Sequence, residues 1–330
     1  MLVSAVLDPS AFEADCFDDL YAIHTEDLLK GIQKNGLLIV DSVDSGRRLQ
    51  NALRDQVKSP ALPIAYRKRL QSLVEELLKN RKRRIVECAA APNSTSSDSL
   101  LEIASDLKTE TGTDGLIVGS ENFEKLRFDP EHRHGVVPLS EYRDSDFERE
   151  RQRYCDGFGP IDMLPRSEVD EIVIRSIRFT KWLRFYDKQI GTGNNTSNFR
   201  RGIAYILSLW KEHGFFASQQ GIGGNVEIFT CRDEHIPDDD IDDVNRKINR
   251  ELMGQLRERF PSWWQVKLSV KEDTNGIFHA RYLETQHAII RIDRGFDLFD
   301  QNNEFRRNFF TLNMAESSHL RECRDLPKAD

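Results

Sequence analysis

Met1-Leu2-Val3-Ser4-Ala5-Val6-Leu7-Asp8 decides how the first half of this chain is read. It is a short apolar run closed by an acid, too brief for a buried helix and well suited to a buried strand. It has no basic n-region and meets an acid too early for a signal peptide. After it, residues 17–34 carry apolar side chains near a 3.6 period, and Gly36-Leu37-Leu38-Ile39-Val40 follows a glycine stop as a second strand. Residues 46–58 and 64–83 read as helices, Arg84-Ile85-Val86-Glu87-Cys88 as a third strand and 97–108 as a helix. Gly115-Leu116-Ile117-Val118-Gly119 is a fourth strand. Strands alternating with helices predict an α/β domain, a mostly parallel sheet with helices on its faces.

Residues 129–165 are rich in charge and proline and show no period, which predicts an irregular connection. A second α/β pattern then begins. Residues 173–177 and 182–190 are strand-like, 198–213 form an amphipathic helix, and 225–231 form a strand. Residues 238–260 are helical, with Asp238 to Asp243 as an acidic helix start, and 264–270, 280–283 and 288–292 supply further strands. The expected domains are 1–127 and 169–330, joined by 128–168.

The 330 residues suffice for two cores. No apolar run approaches the roughly 20 residues needed to cross a bilayer. Five scattered cysteines without a CxxC pair argue for a reducing cytoplasm, against a disulfide framework and against a zinc site. A cytoplasmic, soluble protein is expected. The formal charge of −8 opposes a generally basic nucleic-acid binder but leaves room for local basic tracks.

The chemistry concentrates in two places. In the second half stand Phe278-His279-Ala280-Arg281-Tyr282, Arg184-Phe185-Tyr186-Asp187-Lys188 and Ile292-Asp293-Arg294-Gly295-Phe296-Asp297. His279 and Arg281 are two apart, so in an extended segment they face the same way. His279 is a candidate nucleophile, acid or base. Arg281, Arg294 and Lys188 are candidate phosphate ligands, and Arg281 offers a planar fork. Asp187 and Asp297 are candidates to orient His279 or Arg281, or to cap turns.

These motifs, over roughly 170–312, resemble the phospholipase D superfamily, and within it the phospholipase-D-like domains of microtubule-interacting-and-trafficking proteins and their bacterial relatives. The resemblance implies an attacking histidine at His279 and a second histidine supplied by another subunit, hence a homodimer. The family's HxK lysine is here Arg281 and its later Asp is Gln286, so the resemblance implies grip on phosphate-bearing ligands more than cleavage.

In the first half, Asp8 and Asp41 end the first and second strands, Asp98 starts a helix, and Glu121 follows the fourth strand. Ligands collect at such strand ends. This spacing over 1–126 resembles the PIN-like nucleases, which implies a Mg²⁺ or Mn²⁺ site on Asp8, Asp41, Asp98 and Glu121, with Asp8, Asp98 and Glu121 catalytic. The family's glutamate after the second strand is missing: that helix reads Arg47-Arg48-Leu49-Gln50-Asn51-Ala52-Leu53. Asp98 also fits a helix cap.

Lys79-Asn80-Arg81-Lys82-Arg83-Arg84 reads as a solvated helix end or a nucleic-acid contact. Trp263-Trp264 reads as core or interface, Gly221-Ile222-Gly223-Gly224 as a turn, and His132 and His134 as loop residues. Together the two constellations predict a metal-dependent nuclease or phosphodiesterase acting on nucleic acid, by resemblance in bacterial defence against phage or mobile DNA. The alternative is a non-catalytic dimeric adaptor that binds phosphate, lipid or a protein partner.

Overall fold

The structure is a computed structural model; it describes residues 2–12, 19–42, 45–60, 62–88, 100–128, 135–155, 157–190, 196–231, 249–273, 275–278, 281–313 and 317–328. The chain forms two compact units, Leu2–Cys155 and Asp156–Asp330.

In the first unit, strands β1 (Val3–Leu7), β2 (Gly36–Asp41), β3 (Ile85–Cys88), β4 (Gly115–Val118) and β5 (Val136–Pro138) make a sheet of order β3-β2-β1-β4-β5. Every pairing is parallel. Helices α1 (Asp19–Asn35), α2 (Ser45–Lys58), α3 (Ile64–Lys79), α4 (Arg81–Arg84), α5 (Leu100–Thr111) and α6 (Ser120–Leu126) connect the strands. All residues of β1, β2 and β4 are buried, as expected where helices cover both faces of a parallel sheet.

The chain adds strands on one side of β1, then returns to add β4 and β5 on the other. The switch point of the sheet therefore lies between β1 and β4.

Residues 135–155, expected as part of an irregular connection, belong to this unit. Val136 to Pro138 supply β5. A 3-10 turn, Leu139–Asp144, and helix α7 (Asp146–Arg153) follow and pack on α1. The inner face of α7 carries one apolar side chain, Phe147, which packs on Tyr142 at 6.2 Å, beside a buried polar pair. Buried Arg151 donates to both oxygens of Glu148, each at 2.6 Å, and to Asn35 Oδ1 at 2.7 Å. The Tyr142 hydroxyl donates to Glu148 at 2.6 Å. A lone apolar residue beside an ion pair makes no apolar period, and the sequence Glu148-Arg149-Glu150-Arg151 reads as surface.

In the second unit, strands β6 (Trp182–Asp187), β7 (Asn225–Cys231), β8 (Gln265–Lys271), β9 (Arg281–Thr285), β10 (Ile289–Ile292) and β11 (Phe310–Leu312) make a mixed sheet of order β11-β10-β9-β6-β7-β8. The pairs β6–β7 and β7–β8 are parallel; β9 runs antiparallel to β6 and β10, and β11 to β10. Helices α8 (Arg166–Ile177) and α9 (Thr196–His213) pack together, and a C-terminal helix, Ser317–Asp325, contributes Leu320 and Cys323 to a cluster with Tyr186, Phe229 and Tyr282.

Residues 173–177, expected as a strand, close helix α8 instead. Val169 and every residue from Ile172 to Ile177 are buried, so the end of this helix is covered on all sides and its sequence reads as a continuous apolar, β-branched run. Of the helix expected over 238–260, a π-helical stretch, Asn249–Gly254, and a helical turn, Gln255–Arg259, lie among the described residues. Asp238 to Asp243 lie outside them, as do His132 and His134.

Trp264 is buried, stacked on Phe260 at 5.2 Å and tilted against Trp210 at 4.8 Å, which makes it core. In the basic run, Arg84 is buried and donates to the carbonyls of Lys34 and Gly36, while Arg81 pairs with Glu87.

Candidate functional sites at the two sheet edges

The first site lies at the carboxyl ends of β1 and β4. Asp8 follows β1 with 1% of its surface exposed, and its N–H donates to the Ile117 carbonyl of β4 at 2.9 Å. Its carboxylate accepts from the Ser10 hydroxyl and from Asn122 Nδ2, the latter at 2.7 Å. Asn122 Nδ2 also reaches Ser10 Oγ at 2.9 Å, and the Gly119 N–H donates to the same oxygen at 3.2 Å. Only glycine fits at 119: a Cβ there would stand 2.7 Å from the Ser10 carbonyl. Buried carboxylates need such donors, because an unpaired charge away from water is costly.

Asp41 ends β2 and is buried. The β1–β2 register pairs Val6 with Ile39. Two residues on, Asp8 stands level with Asp41, and the twofold alternation of strands sends both side chains to one side.

Glu121 does not join them. Its side chain is 86% exposed and bonds Lys125 at 2.8 Å, and that cation holds its carboxyl below the ordinary range. One position further along α6, about 100° around the helix, the inward residue is Asn122. Asp98 lies outside the described residues. Among the described residues no group of three His, Cys, Asp or Glu side chains is disposed to hold a metal ion. The Asp8 and Asp41 carboxylates and the Ser10 hydroxyl are hard oxygen donors of the kind Mg²⁺ and Mn²⁺ take, and Mg²⁺ needs only one or two carboxylates beside its waters. Asn122 turns its Nδ2 to Asp8 and its Oδ1 to Lys125 at 3.5 Å.

Sequence reasoning missed Ser10 and Asn122. The signal for Ser10 was present, since Asp-Pro-Ser after a strand places a hydroxyl within reach of the acid two residues back.

The second site lies at the end of β6. Asp187 has no surface exposure and stands opposite Arg281 in the β6–β9 register, with Arg281 Nε 4.0 Å from Oδ1. Its oxygens accept the backbone N–H groups of Gln189 at 2.9 Å and Phe296 at 3.1 Å. Burial raises its pKa to about 6, against the lowering effect of those two N–H groups and of Arg281. The turn it receives contains Gly295 at φ +68°, where a Cβ would lie 1.9 Å from Asp187 Oδ2 and 3.0 Å from Arg281 Cδ.

Buried Asn308 completes the frame. Its Oδ1 accepts the Arg294 N–H at 3.0 Å and its Nδ2 donates to the Gly295 carbonyl at 3.2 Å. Arg281 Nη1 donates to the Asp293 carbonyl at 2.9 Å.

Of the predicted phosphate ligands, Lys188 follows Asp187, Arg294 sits exposed in the turn, and Arg281 is partly exposed. Of the three, Arg281 is the one whose guanidinium stands beside the Asp187 carboxylate. His279 lies outside the described residues. Asp297 pairs with Arg306 at 3.2 Å instead of reaching Arg281. Asn308 was not anticipated, and the sequence around it, Arg306-Arg307-Asn308-Phe309, offers no period or motif that marks it.

No protein-family model matches this chain, and no curated protein matches it significantly. Among the described residues no helix is long and apolar enough to cross a membrane.

Proposed function

We propose that this protein is a metal-dependent phosphodiester hydrolase, a nuclease, whose chemistry takes place at the carboxyl edge of β1 and β2. The observation that carries the reading is the buried Asp8, held by Ser10 and Asn122 at the switch point of an open parallel sheet, where ligands of such folds collect. Asp8 and Asp41 would hold Mg²⁺ or Mn²⁺, with the Ser10 hydroxyl offering a neutral oxygen. When bound, such an ion stabilises charge on the phosphodiester oxygens and makes water a better nucleophile. Ser10 and Asn122 fix the direction of the Asp8 carboxylate, and the Gly119 N–H orients Ser10 in turn.

The test is cleavage of labelled DNA and RNA by purified protein with Mn²⁺. Asp8→Asn should lower the rate by roughly 100-fold or more while leaving the melting temperature within a few degrees. Cleavage that survives both EDTA and Asp8→Asn would sink the reading.

A second reading, a phosphate-binding adaptor that works as a homodimer, is favoured by the second site. A guanidinium keeps its protons near neutral pH, so Arg281 with Lys188 and Arg294 suits grip and not proton transfer. Absence of cleavage, together with phosphopolymer binding lost in Arg281→Ala, supports it.

A further inference from the structure

Helix α2 begins at the carboxyl end of β2, four residues past Asp41, and packs on the 3-10 turn Pro9–Phe12 that follows Asp8. One side of it is core: Leu49, Leu53 and Gln56 are buried. The opposite side carries Arg47, Asn51, Arg54 and Lys58, spaced i, i+4, i+7 and i+11, which is one stripe of an α-helix. Arg47, Asn51, Arg54 and Lys58 are all exposed. Among the described residues no carboxylate pairs with Arg47, Arg54 or Lys58. On α6 of the same unit the exposed cations are paired, Lys125 with Glu121 and Arg127 with Glu124.

The charge is local and runs against the chain. Residues 45–69 hold seven Lys and Arg against a single acid, Asp55, in a protein whose formal charge is −8. A polyanion approaching an acidic molecule is drawn to such a stripe and repelled elsewhere. The stripe spans eleven residues, about 16 Å at the rise of an α-helix. That length matches roughly five phosphate steps of a nucleic-acid strand.

We infer that the Arg47–Arg54–Lys58 stripe of α2 binds the phosphate backbone of a nucleic acid and leads it to the Asp8 edge. The inference rests on the nuclease reading for its direction and names the substrate class as a polymer, not a small phosphodiester. None of the three residues reads a base, so binding is independent of sequence and steeply dependent on salt.

The experiment separates binding from cleavage. Fluorescence anisotropy in EDTA with labelled single-stranded DNA, duplex DNA and RNA reads the stripe alone, over about 50 to 200 mM salt. Relative to wild type, the triple variant Arg47→Gln/Arg54→Gln/Lys58→Gln should lose roughly tenfold or more in affinity, and its log–log salt slope should shrink by about 2 to 3. A matched variant of exposed cations in the second unit, Lys211→Gln/Arg259→Gln/Arg321→Gln, should keep both. If circular dichroism shows that the α2 triple does not fold, Arg54→Gln alone should reduce the slope by about one.

An unchanged slope in the folded triple or in Arg54→Gln overturns the inference, and so does an equal loss in the matched variant. Loss of binding to phosphatidylserine vesicles with nucleic-acid binding intact also overturns it, in favour of a membrane. Asp8→Asn should bind in EDTA like wild type. If Asp8→Asn still cleaves, the nuclease reading fails while the stripe stands.

Discussion

Asp187 carries the clearest electrostatic signature in the molecule. It is fully buried, and burial outweighs two N–H donors and a guanidinium 4.0 Å away, so its pKa rises to about 6. The folded state therefore holds this proton more tightly than the unfolded chain, whose aspartates titrate near 3.9. The sign follows from linkage: between about pH 4 and 6 the native state binds more protons, so this group's contribution falls as pH rises, by about 2 to 3 kcal/mol. Urea unfolding of wild type and Asp187→Asn at both ends of that window should show wild type's advantage shrinking towards neutral pH. An advantage that grows with pH would show that the carboxylate is stabilised, not desolvated. Gly295→Ala tests the same frame from the other side. With φ at +68° and Asp187 Oδ2 in the place of its Cβ, alanine should cost about 2 kcal/mol or more in chemical unfolding. It should also weaken phosphopolymer binding through Arg281. An alanine variant of native stability would mean that the turn moves freely.

Helix α7 shows how an element with a single buried apolar side chain, Phe147, is held. Beside Phe147 its inner surface is the Glu148–Arg151 pair, with side chains 6% and 10% exposed, extended by Asn35 and Tyr142. Burial opposes ionisation of Glu148, but bonds from Arg151, Tyr142 and Gln152 win and hold its carboxyl below the ordinary range. Its linkage therefore has the opposite sign to that of Asp187: stability present near neutral pH is lost as pH falls through the carboxylate range. Arg151→Met leaves Glu148 buried and unpaired, and should destabilise by about 3 to 5 kcal/mol. The double variant Glu148→Gln/Arg151→Met should recover part of that loss, since no uncompensated charge remains. Denaturant midpoints of both variants decide it; a double variant less stable than the single would refute the account. The same element explains why the sequence reading placed a connection here. Alternating Glu and Arg carry no period, and in α8 continuous burial from Ile172 to Ile177 leaves a β-branched run that resembles a buried strand.

The molecule divides into units ending and beginning around residue 155, and each has its own sheet and core. Produced separately, 2–155 and 157–330 should each unfold cooperatively. A fragment ending at residue 127, the boundary expected from composition, lacks β5 and α7 and leaves Asn35 without Arg151. It should melt with little cooperativity, as followed by circular dichroism. A well-folded 1–127 fragment would show that the polar lock is dispensable.

From the sequence by itself came the α/β alternation, four strands of the first sheet, and the two strand-end regions where polar chemistry gathers. These are local properties, because apolar periods of 2 and 3.6 are written along the chain. The tertiary structure alone decided which polar groups meet. Asn122 and not Glu121 turns towards Asp8, Asn308 folds back on the Gly295 turn thirteen residues before it, and Arg151 closes on Asn35 across the fold. Such partnerships depend on the direction of single side chains and on segments far apart in sequence. No periodicity encodes either one.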